Sequence, residues 1–128
     1  MAYLDRRDPA HEQAAEFLDD FKGMMGTTGA VVSEVMYFVS EFRNGPLAFA
    51  QLLVDSGIHV AECARPDQVM SAAKLMTRYA DTPMDFADAT LVQLAEETGV
   101  TDILTTDRRG FATYRTQKGK AFRLVLAS

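Results

Sequence analysis

Apolar residues follow two patterns along the chain: short continuous runs, and longer segments with helical spacing. Asp8-Pro9 suits a helix start, and the apolar residues that follow it predict a first helix from about Pro9 to Lys22. Further helices are predicted over Ser33–Val39, Leu47–Asp55, Pro66–Tyr79 and, behind a capping box at Thr82–Asp85, up to Gly99. Strands are predicted over Ala30–Val32, Ile58–Ala61, Asp102–Asp107 and Phe122–Leu126.

Helices that alternate with short, continuously apolar strands favour a parallel sheet covered on both faces. The pattern therefore predicts an α/β fold, a three-layer α/β/α arrangement with a mainly parallel sheet. The 128 residues suit one domain over residues 1–128. In such folds ligands bind beyond the carboxyl ends of the strands, so functional residues are expected at that edge.

Three acidic residues are predicted to reach this edge. Glu34 follows the predicted strand Ala30–Val32, Asp107 ends another strand, and Asp88 lies in the helix between them. Asp88 stands among apolar neighbours and, in the predicted helix, too deep to cap it, so burial there requires a partner or a metal ion. For Asp85 we favour capping over catalysis, and Glu34 taken alone suits a helix N-terminus equally well.

Composition restricts the metal chemistry that is open to the chain. A single cysteine, Cys63, and two distant histidines, His11 and His59, exclude a thiolate or histidine centre, so a metal must be held mainly by oxygen. No apolar stretch approaches the roughly 20 residues of a membrane helix, and no signal-peptide pattern opens the chain. These features favour a cytoplasmic protein without a membrane partner.

The charge of the chain is unevenly distributed. The net charge of −5 argues against a simple electrostatic nucleic-acid binder. From Arg108 to Ser128, however, there are six basic residues and no acidic one. A solvated basic hairpin and a surface that contacts phosphates are equally open interpretations.

A longer string carries the most specific signal. Asp85 to Val92, followed by Gly99 to Phe111, resembles the C-terminal half of PIN domains, in which a strand ends in Thr-Asp before a basic residue and an aromatic. Val32-Ser33-Glu34-Val35 resembles their second acidic motif, and Leu4 to His11 resembles the segment that opens their first helix. The resemblance covers essentially the whole chain and points to the VapC-like toxin ribonucleases.

The resemblance implies a metal-dependent endoribonuclease, the toxin of a toxin–antitoxin pair. Glu34, Asp88 and Asp107 would be its catalytic, metal-binding carboxylates for Mg²⁺ or Mn²⁺, with Thr105 or Thr106 as hydroxyl partner. The candidate RNA contacts are Arg108, Arg109, Arg115 and Lys118. A small antitoxin and a second copy of the chain are the expected partners. The segments Val35–Phe42 and Leu47–Val54 suit such an interface and simple core packing about equally.

The chain departs from the family pattern at its N-terminus. Family members resembling it begin with a strand that ends in aspartate, and this strand has no counterpart before Leu4; Asp5 and Asp8 lie beyond its position. A misassigned start codon or trimmed chain, a partner that completes the sheet, and a remnant without catalysis are three open explanations, of which we favour the first. The alternative function is an inactive PIN-like module that binds RNA or an antitoxin. A phosphoacceptor domain is disfavoured, because no lysine lies at a predicted strand end.

Overall fold

The computed structural model describes residues 25–100, 102–103, 108–117 and 119–124. Its strands are β1 (Gly26–Thr28), β2 (His59–Ala61), β3 (Asp102–Ile103) and β4 (Arg123–Leu124), and its helices are α1 (Gly29–Val39), α2 (Gly45–Ser56), α3 (Pro66–Arg78), α4 (Phe86–Thr98) and α5 (Arg108–Thr113). The predicted helix Pro9–Lys22 lies outside the described residues. Among those described, no helix combines the length and apolar character needed to cross a membrane.

Both described strand pairs are parallel. β1 pairs with β2, with Gly26 opposite His59 and Thr28 opposite Ala61, and β3 pairs with β4. Within the described ranges these pairs form two separate two-stranded sheets. Because α4 packs against α1, α3 and β1, helices cover the strands as the alternating pattern requires. The predicted α/β class with parallel strands is confirmed.

The strand predicted at Ala30–Val32 is wrong, because these residues form the first turn of α1 and the strand is β1, just before them. Val31 and Val32 favour a strand by their branching, yet both pack into the apolar core between α1 and α2, and this burial outweighs propensity. The Thr28 hydroxyl caps the helix by accepting the Val31 N–H at 3.4 Å. Glu34 therefore lies in the second turn of α1, not directly after a strand.

Glycines determine where α2 begins and where two helices end. A β-carbon built on Gly45 would lie 2.0 Å from the carbonyl oxygen of Val39, so α1 and α2 can approach this closely only with glycine there. Gly57 and Gly99 follow α2 and α4 with φ of 66° and 76°. Glycine adopts this left-handed conformation without strain, and both helix ends are found where the sequence predicts them.

The apolar core is divided into two clusters. The large cluster surrounds α3, α4 and the C-terminal segment, and its buried residues are Ala72, Met84, Ala89, Val92, Ala95, Ile103, Phe111, Tyr114 and Phe122. The small cluster lies between α1 and α2 and consists of Val35, Val39 and Phe49 with partly buried neighbours. α4, which carries residues of the large cluster, contacts α1, which carries residues of the small cluster.

Candidate active site

The N-terminus of α4 carries two acidic residues that cap it. The Asp85 carboxylate accepts the Asp88 N–H at 2.8 Å, and the Asp88 carboxylate accepts the Asp85 N–H at 3.1 Å. This reciprocal pair is a capping box with Asp85 as the N-cap. Asp88 is therefore the third helical residue, and the prediction that it lies too deep to cap the helix is wrong.

The capping box predicted at Thr82–Asp85 is also wrong. The Thr82 N–H donates to the carbonyl of Tyr79 in a turn that follows α3. The Tyr114 hydroxyl donates to the carbonyl of Pro83. These two bonds hold the segment outside the helix, so that α4 begins only after Asp85.

A buried hydroxyl pair joins the beginning of α1 to α4. Thr28 Oγ1 and Thr90 Oγ1 are 2.8 Å apart, and each residue is only 1% exposed. The Thr90 hydroxyl donates to the carbonyl of Ala87 at 2.7 Å, so its oxygen accepts the Thr28 hydroxyl. Hydrogen bonds thus connect the Val31 N–H, which Thr28 caps, to the first turn of α4.

Glu34 on α1 faces the two aspartates of α4. Its pKa is raised from 4.5 to about 7, first by partial burial, then by a side-chain hydrogen bond with Asp85 and by the negative charges of Asp85 and Asp88. Each effect disfavours the ionised form of Glu34. Three carboxylates from two helices therefore interact, and Glu34 retains a proton in a large fraction of molecules at neutral pH.

The structure brings together two of the three predicted metal-binding carboxylates. Glu34 and Asp88 interact electrostatically, as expected from the sequence. Asp107, Thr105 and Thr106 lie outside the described residues. In the described ranges, no three Asp, Glu, His or Cys side chains form a group that could hold a metal ion. A metal role for Glu34, Asp88 and Asp107 therefore stays a prediction.

The described acidic groups have the donor chemistry that a hard divalent cation prefers, although no three of them form a metal-binding group within the described ranges. Glu34, Asp85 and Asp88 offer carboxylate oxygens, which Mg²⁺ and Mn²⁺ prefer as ligands. Every described group that shifts the pKa of Glu34 raises it, so no described basic side chain compensates the negative charge on Glu34. A bound cation would supply that compensation.

One predicted RNA contact has a structural role. The Arg115 guanidinium donates through Nη1 to three carbonyls at the end of α5, at 2.8 to 3.1 Å, those of Ala112, Thr113 and Tyr114. It therefore satisfies carbonyls that the end of a helix leaves unpaired. Arg108 and Arg109 begin α5, but their side chains, like Lys118, lie outside the described residues.

Comparison with known proteins identifies the family. The PIN domain profile matches residues 1–116. This chain belongs to the PIN domain family. Ribonuclease VapC26 from Mycobacterium tuberculosis is 31% identical to this PIN domain over 128 residues, which cover 98% of the chain and 93% of the relative. The VapC-like PIN assignment made from the acidic motifs is confirmed.

Three residues of this PIN domain site are missed or underestimated by sequence reasoning. Asp85 does cap α4, as predicted, but it also raises the pKa of Glu34 on α1. Thr28 and Thr90 are 62 residues apart, and no local pattern indicates that their hydroxyls meet. For the aspartates a signal was available, because two acids three residues apart have the spacing of a capping box.

Proposed function

We propose that this PIN domain is a metal-dependent endoribonuclease that hydrolyses RNA phosphodiester bonds. The observation that carries the proposal is the approach of Glu34 on α1 to Asp85 and Asp88 on α4, which raises the pKa of Glu34 to about 7. Crowded carboxylates cost stability unless a proton or cation neutralises them, and they are typical of functional sites. Membership in the PIN family and the similarity to a ribonuclease support this chemistry.

Glu34, Asp88 and Asp107 would hold Mg²⁺ or Mn²⁺ through carboxylate oxygens. The cation would lower the pKa of a bound water and neutralise charge on the phosphate. Glu34, whose pKa is raised to about 7, would have to be ionised to act as a ligand. Asp85 keeps the first turn of α4 in place through its capping bond to Asp88. Thr105 or Thr106 would contribute a hydroxyl group.

RNA cleavage with Mg²⁺ or Mn²⁺, against EDTA, tests this function. Asp88→Asn removes the charge but keeps an oxygen that can accept the Asp85 N–H, so the helix cap is preserved. We expect a loss of about 100-fold or more in cleavage rate. The matched control is Asp55→Asn, since Asp55 is exposed on α2 and bonded only to Gln51 among the described contacts.

Two results would contradict the proposal. Cleavage that persists in EDTA would exclude a metal-dependent reaction, and cleavage that Asp88→Asn leaves unchanged would exclude the carboxylate site. If the unaltered chain does not cleave RNA under any of these conditions, the inactive PIN-like module becomes the better description.

We also propose that the basic C-terminal segment, residues 108–128, contacts RNA phosphates through Arg108, Arg109 and Lys118. Arg115 is a poor test residue, because Arg115→Ala would also remove the cap of α5. The double variant Arg109→Ala with Lys118→Ala should weaken RNA binding. The slope of log K against log salt concentration should also become shallower, by the equivalent of about two phosphate contacts. Lys74→Ala with Arg78→Ala, on the exposed side of α3, is the charge-matched control. Equal salt dependence in both double variants would contradict this role.

The proposal extends to protein partners in the cytoplasm, a small antitoxin and a second copy of the chain. α1 and α2 bury one face in the small cluster and expose large apolar side chains on the other: Tyr37 (81%), Leu47 (79%) and Val54 (74%). Exposed apolar residues on neighbouring helices are typical of interaction surfaces. Leu47→Glu with Val54→Glu should abolish self-association in light scattering and co-purification with a co-expressed antitoxin. Gln51→Glu, also exposed on α2, is the control.

A further inference from the structure

We propose that Thr28 and Thr90 are positioning residues of the carboxylate site, because their buried hydroxyl pair sets the spacing between the helix that carries Glu34 and the helix that carries Asp88. The inference rests on the proposed metal-dependent function. It assigns a role to two residues that neither touch the substrate nor bind the cation.

The bonding of the pair leaves it little freedom. The Thr28 oxygen accepts the Val31 N–H and its proton goes to Thr90 Oγ1, whose own proton goes to the carbonyl of Ala87. Both hydroxyls therefore donate one bond and accept one. Because both side chains are buried, water cannot replace either partner, and each bond has a defined direction.

The ends of this chain of hydrogen bonds lie beside the acidic residues. Ala87 is adjacent to Asp88 in the first turn of α4, and Val31 precedes Glu34 by three residues, or about one turn of α1. A helix is stiff over one turn, so fixing Val31 and Ala87 relative to each other also fixes the backbones of Glu34 and Asp88. Cation ligands must be held within about 0.5 Å of a productive geometry. A link that fixes the two backbones therefore affects how tightly the cation is bound.

The surroundings of Thr90 show that packing alone does not require a hydroxyl there. Ala87, Ala89 and Val92 are its buried neighbours along α4, and valine has nearly the same shape as threonine. Replacing Thr90 by valine preserves the volume and the Thr28 cap of α1, but it removes the directional bond between the helices. The hydroxyl pair therefore fills space in the core and also holds the beginning of α1 in a defined position relative to α4.

Isothermal titration of the full chain with Mg²⁺ and with Mn²⁺ tests the inference. We expect Thr90→Val to weaken cation affinity about tenfold, and Thr90→Ser, which retains the hydroxyl, to restore it. Thr116→Val is the matched control: Thr116 is also buried and accepts a backbone N–H, that of Lys120, but it lies away from the carboxylates in the C-terminal segment. RNA cleavage by Thr90→Val should show a lower kcat with an unchanged KM.

The outcomes separate the inference from the proposed function. Cation affinity that falls in Asp88→Asn but not in Thr90→Val would overturn the positioning role and leave the nuclease proposal standing. Equal losses in Thr90→Val and Thr116→Val would also overturn it, since they would reflect general destabilisation. If the unaltered chain binds no cation, or Asp88→Asn binds as well as it does, both proposals fall.

The folding of Thr90→Val must be checked separately, because this substitution leaves the Thr28 hydroxyl buried without its acceptor. If Thr90→Val does not fold by circular dichroism, the double variant Thr28→Val with Thr90→Val is titrated instead. This variant removes both hydroxyls, so no buried hydroxyl is left without a partner, and its cost is the loss of the Thr28 cap on the Val31 N–H. We expect the same tenfold loss of affinity, and affinity equal to that of the unaltered chain would overturn the inference.

Discussion

The large and small clusters are held together differently, and the acidic residues of the candidate site lie on helices of both clusters. In the large cluster, Phe111 makes edge-to-face contacts with Tyr114 and Phe122 at ring-centroid distances of 5.1 and 5.5 Å. The hydroxyls of its tyrosines are also bonded, Tyr79 accepting the Arg115 N–H and Tyr114 donating to a backbone carbonyl. This cluster combines aromatic packing with satisfied polar groups.

The small cluster has few such contacts. Three buried residues join α1 to α2 there, and the opposite faces of these helices expose large apolar side chains. Glu34 belongs to this side of the molecule, next to buried Val35, whereas Asp88 lies beside Ala89 of the large cluster. Local opening of the small cluster should therefore move Glu34 away from Asp88 under conditions in which the protein as a whole is still folded.

The largest expected effect is a loss of stability when an aromatic side chain of the large cluster is truncated. Phe111→Ala should reduce the free energy of unfolding by about 3 to 5 kcal/mol, because the cavity forms among rigid aromatic neighbours. Phe49→Ala in the small cluster should cost less, since exposed helices can close around the gap. Urea denaturation of both variants measures the difference. Equal losses would show that the two clusters are equally rigid.

A smaller effect is expected where α1 meets α2. Gly45→Ala places a methyl group against the Val39 carbonyl and should destabilise the protein by about 1 to 3 kcal/mol. Gly29→Ala is the matched control, because a β-carbon there meets nothing within 4 Å, and it should be neutral or stabilising by up to about 1 kcal/mol. Hydrogen exchange should place the added opening of Gly45→Ala in α1 and α2. Opening confined to α4 would contradict this assignment.

Two substitutions at Asp85 separate its capping role from its charge. Asparagine caps a helix about as well as aspartate, so Asp85→Asn should retain stability, whereas Asp85→Ala should lose about 1 kcal/mol. Both changes remove a negative charge facing Glu34 and should lower the pKa of Glu34 towards its ordinary value. Carboxyl NMR titration and thermal denaturation measure the two effects. A Glu34 pKa unchanged in both variants would show that Asp85 only caps.

The smallest expected effect is the pH dependence of the metal-free protein. Because the folded state raises the pKa of Glu34 from 4.5 to about 7, it binds this proton more tightly than the unfolded chain does. The associated stability is fully present below about pH 4.5 and is lost as the pH rises through 7. Solvent screening limits the loss to about 1 kcal/mol or less.

Glu34→Gln should flatten this dependence, because it removes the titrating group. Glu41→Gln is the control, because Glu41 is exposed and lies just after the end of α1. Urea denaturation in EDTA at pH 5 and pH 8 measures the slope, and added Mg²⁺ should restore stability at pH 8 in the unaltered chain. Identical slopes in Glu34→Gln and the unaltered chain would contradict the crowded-carboxylate interpretation.

Most elements were predictable because their signals are local. Pro66 at the start of α3, and Gly57 and Gly99 after α2 and α4, restrict the backbone wherever they occur. The order of the acidic motifs was likewise sufficient to identify the PIN family. The strand prediction at Ala30–Val32 was wrong for the opposite reason. β-Branched residues occur in helices as well as in strands, and packing against the small cluster favours the helix here.

The fold class, the C-terminal ends of the helices and the candidate acidic residues follow from the amino-acid sequence, because each depends on residue type and spacing. The approach of Asp88 and Asp85 on α4 to Glu34 on α1 depends on how the two helices pack. Only the tertiary structure decided, too, that Thr28 meets Thr90 across 62 residues. Contacts of this kind depend on how helices pack against one another, and short-range patterns carry no information about that packing.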